Sequence, residues 1–306
     1  MRVATIDIGT NTVLLLVAER GADGVLRAVE ERATITRLGE GVDRTKTFAR
    51  AAIERTLACL EQYASLVRDA GADRVAVVGT SAMRDAGGSE ELRASVLATL
   101  GVEARVISGE EEGRLTFRGA VSGLLRDAPG DLAVFDIGGG STEVIIGRPG
   151  SPPSLAFAES FDVGSVRLTE RHVTHDPPTP QERDVITRAA REAFARVPAV
   201  PGVGVPIGIA GTVTTLAAVS LALVPYDGAR IHGHVMSRSE LVTALERLGR
   251  LDVASRRNVA GIEPKRADVI VAGGLIALAL VDHWGANAVR VSDRGVRWGL
   301  AEELAV

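Results

Sequence analysis

The sequence DIGTNTVLLL at residues 7–16 recurs, with changes, as DIGGGSTEVII at residues 136–146. An apolar run precedes each copy, at residues 3–6 and 132–135, and apolar residues also follow each glycine-bearing turn. This pattern predicts a strand, a tight turn and a returning strand in both copies. Two β-hairpins that begin two halves of the chain indicate a duplicated architecture.

Strand and helix patterns alternate after each hairpin, which is typical of α/β proteins. In the first half we predict strands at 25–36, 74–78 and 104–107 and helices at 48–70, 90–100 and 110–124, the last with Ser108 as its N-cap. In the second half we predict strands to about residue 160, helices at 165–172 and 181–196, a strand at 206–209, and helices after Gly211, Ser237, Lys265 and Arg294.

The length of 306 residues predicts two domains of similar size. The segment RDAPG at residues 126–130 interrupts the alternation just before the second hairpin. We therefore predict an N-terminal domain at 1–125 and a C-terminal domain at 126–306. The last helix, at about 294–306, can pack back on the N-terminal domain. An active site is expected in the cleft between the two domains.

Composition excludes several kinds of partner. The net charge of −4 argues against a broad basic surface of the kind that binds nucleic acid. The apolar runs are short or broken by glycine, so no membrane partner is expected. The first residues enter a strand pattern without an export signal, and the single cysteine, Cys59, cannot form a disulfide within the chain. These features predict a cytoplasmic protein.

The two repeated turns have the chemistry of a phosphate site. Backbone amides and hydroxyl groups of a glycine-rich turn can surround phosphate oxygens, and an aspartate beside them can hold a cation. The residues proposed to bind substrate are Thr10, Asn11 and Thr12 in the first turn and Gly138, Gly139, Gly140, Ser141 and Thr142 in the second. For one copy alone, a glycine-rich hairpin without a ligand is an equally good explanation. The duplication makes that explanation much weaker.

A third turn, GIAGTVTT at residues 208–215, follows a strand and begins a helix. Its amides, at Gly211 and Thr212, can face an anion because the N-terminus of a helix carries partial positive charge. Close packing between the strand and the helix explains the glycines equally well.

Together, the three turns resemble the phosphate and nucleotide motifs of the actin, sugar kinase and Hsp70 superfamily. Further segments resemble the Ppx/GppA family of exopolyphosphatases and guanosine pentaphosphate phosphohydrolases, namely TSAMRDA at 80–86, ISGEEEGR at 107–114, DVGSVRLTE at 162–170, RADVI at 266–270 and SDRGVR at 292–297. They follow the family's order and span nearly the whole chain. The resemblance implies two actin-like (ribonuclease H-like) domains, each a mixed β-sheet with flanking helices.

The resemblance also implies roles for acidic residues. It places the catalytic glutamate at Glu112, with Glu111 as the alternative if the alignment shifts by one. Without the resemblance, acidic residues that complement a helix dipole would explain this cluster. The metal ligands are expected to be Asp7, Asp136 and Glu143 around Mg²⁺, which needs only one or two carboxylates beside water and phosphate. Alternation along the strand could equally turn Glu143 to solvent.

Three arginines are candidates for binding substrate phosphate, and Arg266 and Arg297 are weaker candidates than Arg84. Arg84 resembles the family's substrate-phosphate arginine, and Arg266 and Arg297 lie in matching segments. Arg167 and Glu170 are three positions apart on a predicted helix, where they can simply pair with each other. The histidines, including His232 and His234, show no persuasive zinc spacing and are predicted to be polar surface groups.

The resemblance predicts an exopolyphosphatase that depends on Mg²⁺, with stimulation by a monovalent cation also expected. The sequence is similar to the short, two-domain form of the family, so short polyphosphate chains are the expected substrate. A pppGpp 5'-phosphohydrolase is the alternative. A sugar or acetate-type kinase, an actin-like filament protein and a nucleotide-binding module are the other classes considered. The family resemblance also suggests a homodimer.

Overall fold

The computed structural model of the protein describes residues 1–125, 128–150, 153–199 and 204–305. It divides into two compact units, Met1–Gly119 with Val296–Val306 (unit 1) and Ala120–Gly295 (unit 2). The division falls slightly earlier than the segment at 126–130, of which Arg126 and Asp127 lie outside the described residues. The last helix is part of unit 1.

The first half of the chain alternates strands and helices. Its elements are β1 Arg2–Ile8, β2 Thr12–Arg20, β3 Leu26–Ile35, α1 Val42–Thr45, α2 Arg50–Asp69, β4 Arg74–Gly79, α3 Ser81–Asp85, α4 Ser89–Leu100, β5 Ala104–Val106 and α5 Gly109–Val121. The strands form a mixed sheet in the order β3-β2-β1-β4-β5. Strands β1, β4 and β5 are parallel, and β2 and β3 are antiparallel to their neighbours.

The second half repeats this order with more helices. Its elements are β6 Leu132–Ile137, β7 Thr142–Arg148, β8 Ser154–Phe161, α6 Ser165–His172, α7 Pro180–Phe194, β9 Ile207–Ile209, α8 Ala210–Ser220, α9 Gly228–Ile231, β10 Val235–Ser237, α10 Arg238–Gly249, α11 Val253–Arg256, α12 Ile270–His283, β11 Ala288–Val291 and α13 Val296–Leu304. A short 3₁₀ turn, Pro264–Arg266, precedes α12. The strand order is β10-β11-β9-β6-β7-β8, with β6, β9 and β11 parallel.

The alternation of side chains in β1 explains how the sheet of unit 1 is covered on both faces. Ala4, Ile6 and Ile8 pack in the same core as Leu60 and Tyr63 of α2. A second cluster, which contains Val3, Leu16, Ala18 and Leu26, packs with residues of α13. Successive strand residues point to opposite faces, so one strand supplies both cores.

The predicted fold class is confirmed, since each unit is a mixed sheet with flanking helices. Ser108 caps α5, as predicted, because its hydroxyl accepts a hydrogen bond of 3.1 Å from the Glu111 amide. The segment at 80–86 contains the short helix α3, which was not predicted. Strands β10 and β11 were not predicted. No helix among the described residues is long and apolar enough to cross a membrane.

Candidate active-site residues

In unit 1, the candidate residues lie at one edge of the sheet. Asp7 of β1 is beside Val78 of β4, which is beside Arg105 of β5 in the parallel register. The segments that leave these strands begin the first turn, α3 and α5. Ligands of α/β proteins bind at the carboxyl ends of parallel strands. The candidate residues of unit 1 lie at the carboxyl ends of β1, β4 and β5.

The first turn contains buried polar atoms that suit a ligand. The Gly9 amide donates to the Thr12 carbonyl at 3.1 Å and closes the turn. Thr10 is 8% exposed and Asn11 is 5% exposed, and neither Thr10 Oγ1 nor Asn11 Nδ2 has a hydrogen-bond partner among the described residues. Leaving such an atom unpaired costs about 1–3 kcal/mol. A phosphate oxygen at this turn would remove that cost.

The three glutamates at the start of α5 have different surroundings. Glu110 is exposed. The Glu111 carboxylate forms an ion pair with Arg105. Glu112 is 6% exposed, and its Oε2 accepts a hydrogen bond of 2.5 Å from Nη1 of Arg84. Because Glu112 is more buried than Glu111, it is the better candidate for the catalytic glutamate.

Arg84 brings α3 and α5 together. Its Nη1 also donates to the Ile107 carbonyl at 3.0 Å, just before α5 begins. A carboxylate beside a polyanionic substrate would repel it, and a guanidinium beside the carboxylate offsets this repulsion. The pair therefore allows Glu112 to remain close to a phosphate group.

In unit 2, Asp136 and Glu143 are directly opposite each other on β6 and β7, and Glu143 is opposite Ser160 on β8. Glu143 is buried, so the possibility that it faces solvent is wrong. Its Oε1 accepts hydrogen bonds from Ser141 Oγ at 2.7 Å and Ser160 Oγ at 2.6 Å. Thr142 donates its hydroxyl hydrogen to the Val163 carbonyl. The hydroxyls of the second turn are thus oriented by the protein.

The third turn lies at the same sheet edge as Asp136, since β6 and β9 are parallel and pair Asp136 with Ile209. A Cβ atom at Gly211 would be 2.1 Å from Cζ of Arg266, so only glycine allows this approach of the guanidinium. Thr212 Oγ1 donates to the Ile137 carbonyl at 3.3 Å. Unit 2 therefore groups Asp136, Gly211, Thr212 and Arg266.

Ala210, between β9 and Gly211, has a φ of 64°, which is strained for a residue with a side chain. We expect Ala210→Gly to raise the free energy of unfolding by about 0.5–1 kcal/mol, since glycine adopts this conformation without strain. Ala217→Gly, in the interior of the same helix, should lower it by about 1 kcal/mol. Urea unfolding measures both variants. A lower stability of Ala210→Gly than of the wild type would contradict the strain.

Two other arginines have structural contacts. Arg297 donates to the carbonyls of Leu15 and Arg32 at 3.2 Å and pairs with Glu31, so its guanidinium joins α13 to the sheet of unit 1. Arg167 Nε donates to the Gly140 carbonyl in the second turn. The sequence analysis missed this contact, although the position of Arg167 just after the third strand of the repeat could have indicated it.

The histidines of the segment at 232–234 lie near the end of β11. His232 Nδ1 is 2.9 Å from Oδ1 of Asp293, a contact that becomes an ion pair when the histidine is protonated. The two atoms do not have hydrogen-bond geometry.

Ser160 is a second residue that the sequence analysis missed, and its in-register position opposite Glu143 is visible only once the strands are paired.

Carboxylate oxygens are the ligands that a hard cation prefers. Within the described part of the chain, no three His, Cys, Asp or Glu side chains are grouped as metal ligands. A Mg²⁺ site needs fewer than three protein ligands, because Mg²⁺ retains several waters and takes only one or two protein carboxylates with substrate phosphates. Asp136 is half-buried at a strand end, whereas Glu143 Oε1 already accepts from two hydroxyls. Asp136 therefore fits a Mg²⁺ ligand better than Glu143 does.

Two α/β units, each a mixed sheet that begins with a glycine-bearing hairpin, have the predicted actin-like fold, which solved Ppx/GppA structures share. The chain belongs to the Ppx/GppA phosphatase family, whose sequence pattern matches residues 16–305. It is 39% identical to exopolyphosphatase 2 of Mycobacterium tuberculosis, over 99% of this chain and 98% of that protein. The structure of the Aquifex aeolicus PPX-GPPA enzyme is similar, with a TM-score of 0.82, 33% identity and 99% of each chain covered.

A longer relative acts on another substrate. The chain is 29% identical to the guanosine-5'-triphosphate,3'-diphosphate pyrophosphatase of Vibrio atlanticus, over 98% of this chain and 59% of that protein. Both relatives are named for the hydrolysis of phosphoanhydride bonds. The chain is therefore similar to phosphoanhydride hydrolases along nearly its whole length.

Proposed function

We propose that the protein is an exopolyphosphatase that hydrolyses the terminal phosphoanhydride of inorganic polyphosphate and releases orthophosphate. The observation that carries this proposal is the 39% identity to exopolyphosphatase 2 over nearly the full length of both proteins. The contact between the buried Glu112 and Arg84 supports the proposal. Hydrolysis needs a base that accepts a proton from the attacking water, and a positively charged group beside that base can bind the phosphate.

In the proposed mechanism, Glu112 accepts a proton from water, and the water oxygen attacks the terminal phosphorus in line with the bond to the next phosphate. A new P–O bond forms, the anhydride P–O bond breaks, and the shortened chain leaves with the bonding electrons. Arg84 and the amides of the glycine-bearing turns bind phosphate oxygens of the substrate. Positioning and charge stabilisation supply most of the rate in phosphoryl transfer.

We propose Mg²⁺ as the cofactor, with Asp7, Asp136 and Glu143 as candidate ligands and Asp136 as the best supported of them. When bound, Mg²⁺ neutralises charge on the phosphate oxygens. Stimulation by a monovalent cation is part of the same proposal. The oxygen-rich ligand set supports a hard cation over a soft one.

Phosphate release from polyphosphate, pppGpp and ATP, compared in one assay with Mg²⁺, tests the function. We expect the highest kcat/KM with polyphosphate and, within a series of chain lengths, with short chains. Phosphate release from none of these substrates would overturn the proposal and leave a nucleotide-binding module as the better explanation. ATP-dependent transfer of phosphate to a sugar or to acetate would instead indicate a kinase.

A second candidate is hydrolysis of the 5'-terminal phosphate of pppGpp, favoured by the relative from Vibrio atlanticus. Its chemistry is the same, since a terminal phosphoanhydride is cleaved in both cases. The lower identity and the partial coverage of that relative make it the second choice. A kcat/KM for pppGpp above that for every polyphosphate length would reverse the order.

We also propose that the protein works as a homodimer. This rests on the family to which the chain belongs. Analytical ultracentrifugation over a range of concentrations tests it, with a mass of twice 32.0 kDa expected. A constant mass of one chain at every concentration would contradict the proposal.

The proposed location is the cytoplasm. The single cysteine, Cys59, is buried and cannot form a disulfide within the chain, which suits a reducing compartment. Fractionation of cells followed by detection of the protein tests this location. Recovery from the culture medium or the envelope fraction would contradict it.

A further inference from the structure

The segment after the third strand of unit 2 is hydrogen-bonded to the carbonyl oxygens of the second turn. The Ser165 amide donates to the Gly138 carbonyl at 2.9 Å, and the amides of Val166 and Arg167 donate to the Gly139 carbonyl at 2.9 and 3.0 Å. Arg167 Nε donates to the Gly140 carbonyl at 2.5 Å. Helix α6 thereby binds three consecutive carbonyls of the turn.

These contacts determine the direction of the turn's amides. In a planar trans peptide, the N–H of one residue points opposite to the carbonyl of the residue before it. Because the carbonyls of Gly138, Gly139 and Gly140 point towards α6, the next three amides, which end at Ser141, point away from it. Successive amides directed to one side form a concave site for an anion.

Gly164 makes this arrangement sterically possible. A Cβ atom at Gly164 would be 2.3 Å from the Gly139 oxygen and 2.5 Å from the Gly140 carbonyl carbon. Any side chain would therefore push α6 away from the turn. Arg167 is 9% exposed, which is unusual for an arginine and indicates that its guanidinium belongs to the internal structure of the turn.

Unit 1 contains the same arrangement with a different sequence. The Gly39 amide donates to the Thr10 carbonyl at 2.8 Å, and the amides of Thr36 and Arg37 donate to the Asn11 carbonyl at 3.1 and 3.0 Å. A Cβ atom at Gly39 would be 2.2 Å from Cγ2 of Thr10. In both units, a glycine shortly after the third strand thus lies close to the hairpin turn, and backbone amides at or near that glycine donate to the turn's carbonyls.

We propose that Arg167 and Gly164 are positioning residues for the phosphate turn of unit 2. They hold the turn's carbonyls on the side of α6, so that its amides face the substrate phosphate. Without the contact from Arg167, the Gly140–Ser141 peptide can rotate, and its carbonyl would then repel the anion. The inference rests on the proposed function, since it assumes that this turn binds phosphate.

Binding of tripolyphosphate, with Mg²⁺ present, to proteins that carry Glu112→Gln tests the inference by calorimetry without turnover. We expect Arg167→Gln to raise Kd by about 10- to 100-fold, the effect of losing a hydrogen bond from a charged group. Arg171→Gln is the matched control, because Arg171 lies exposed on the same helix and its removal changes the net charge equally. The control should bind as the parent does.

Equal binding by Arg167→Gln and Arg171→Gln would overturn the inference while leaving the proposed function intact. Failure of the Glu112→Gln parent itself to bind tripolyphosphate would overturn both. If Arg167→Gln does not fold, Arg167→Lys replaces it. Lysine retains the charge but not the planar guanidinium, and weaker binding than the control is again expected. Binding equal to that of the control would overturn the inference.

Discussion

Glu112→Gln lowers kcat for phosphate release from polyphosphate by about 10²- to 10⁴-fold, the usual contribution of a general base. The glutamine has the same shape but a far weaker affinity for a proton, so water is no longer activated. KM should change little, because the base is required for the chemical step rather than for binding. Steady-state kinetics on a short polyphosphate, with circular dichroism to verify folding, measure the effect.

Glu111→Gln is the matched control for this prediction. It removes the same charge from the neighbouring position of the same helix, but Glu111 pairs with Arg105 and is less buried. We expect its kcat to remain within a few-fold of the wild type, as for loss of an exposed ion pair. If Glu112→Gln retains full activity and Glu111→Gln is inactive, the general base is Glu111 and not Glu112.

Asp136→Asn should lower kcat by about 10²-fold or more, because a metal ion stabilises charge in the transition state by several kcal/mol and each 1.36 kcal/mol is a factor of ten. The amide oxygen is a weaker ligand for Mg²⁺ than a carboxylate. Removal of Mg²⁺ with a chelator should abolish activity, and excess Mg²⁺ should restore it. Calorimetry of Mg²⁺ binding in the presence of tripolyphosphate provides a second measurement.

Asp184→Asn, an exposed residue of α7, is the control with an equal change of charge. It should retain wild-type metal binding and activity. Activity that persists after thorough chelation would show that no metal is needed. Asp136→Asn with the same Mg²⁺ affinity as Asp184→Asn would remove Asp136 from the ligand set.

Much of the fold was predictable because its hairpins are encoded locally. Apolar runs on either side of a glycine-bearing turn predict β1 with β2 and β6 with β7, and the structure contains both hairpins. Strands β10 and β11 have only three and four residues, so they show too little alternation to be predicted and their pairing depends on the rest of unit 2. Helix α3 is only five residues long and has little periodicity to detect.

The candidate site was less predictable than the fold. The sequence places Glu112 at the start of a helix, but it cannot show that Glu112 is buried while Glu111 is not. The contacts of Arg84 with Glu112 and of Arg167 with Gly140 join residues far apart in the chain. These contacts form only after the strands have paired. In the sequence alone, Arg84 and Arg167 therefore resemble exposed surface arginines.

The position of α13 has a consequence for biosynthesis. One face of the first sheet, with Val3, Leu16 and Leu26, is covered by residues of α13, which the ribosome adds only after the whole of unit 2. Unit 2 is continuous in sequence and can fold as soon as it has left the ribosome. In unit 1, the apolar face of the sheet stays exposed until α13 has been synthesised. A deletion of α13 would therefore reduce the yield of folded protein more than a deletion of the same length in a surface loop.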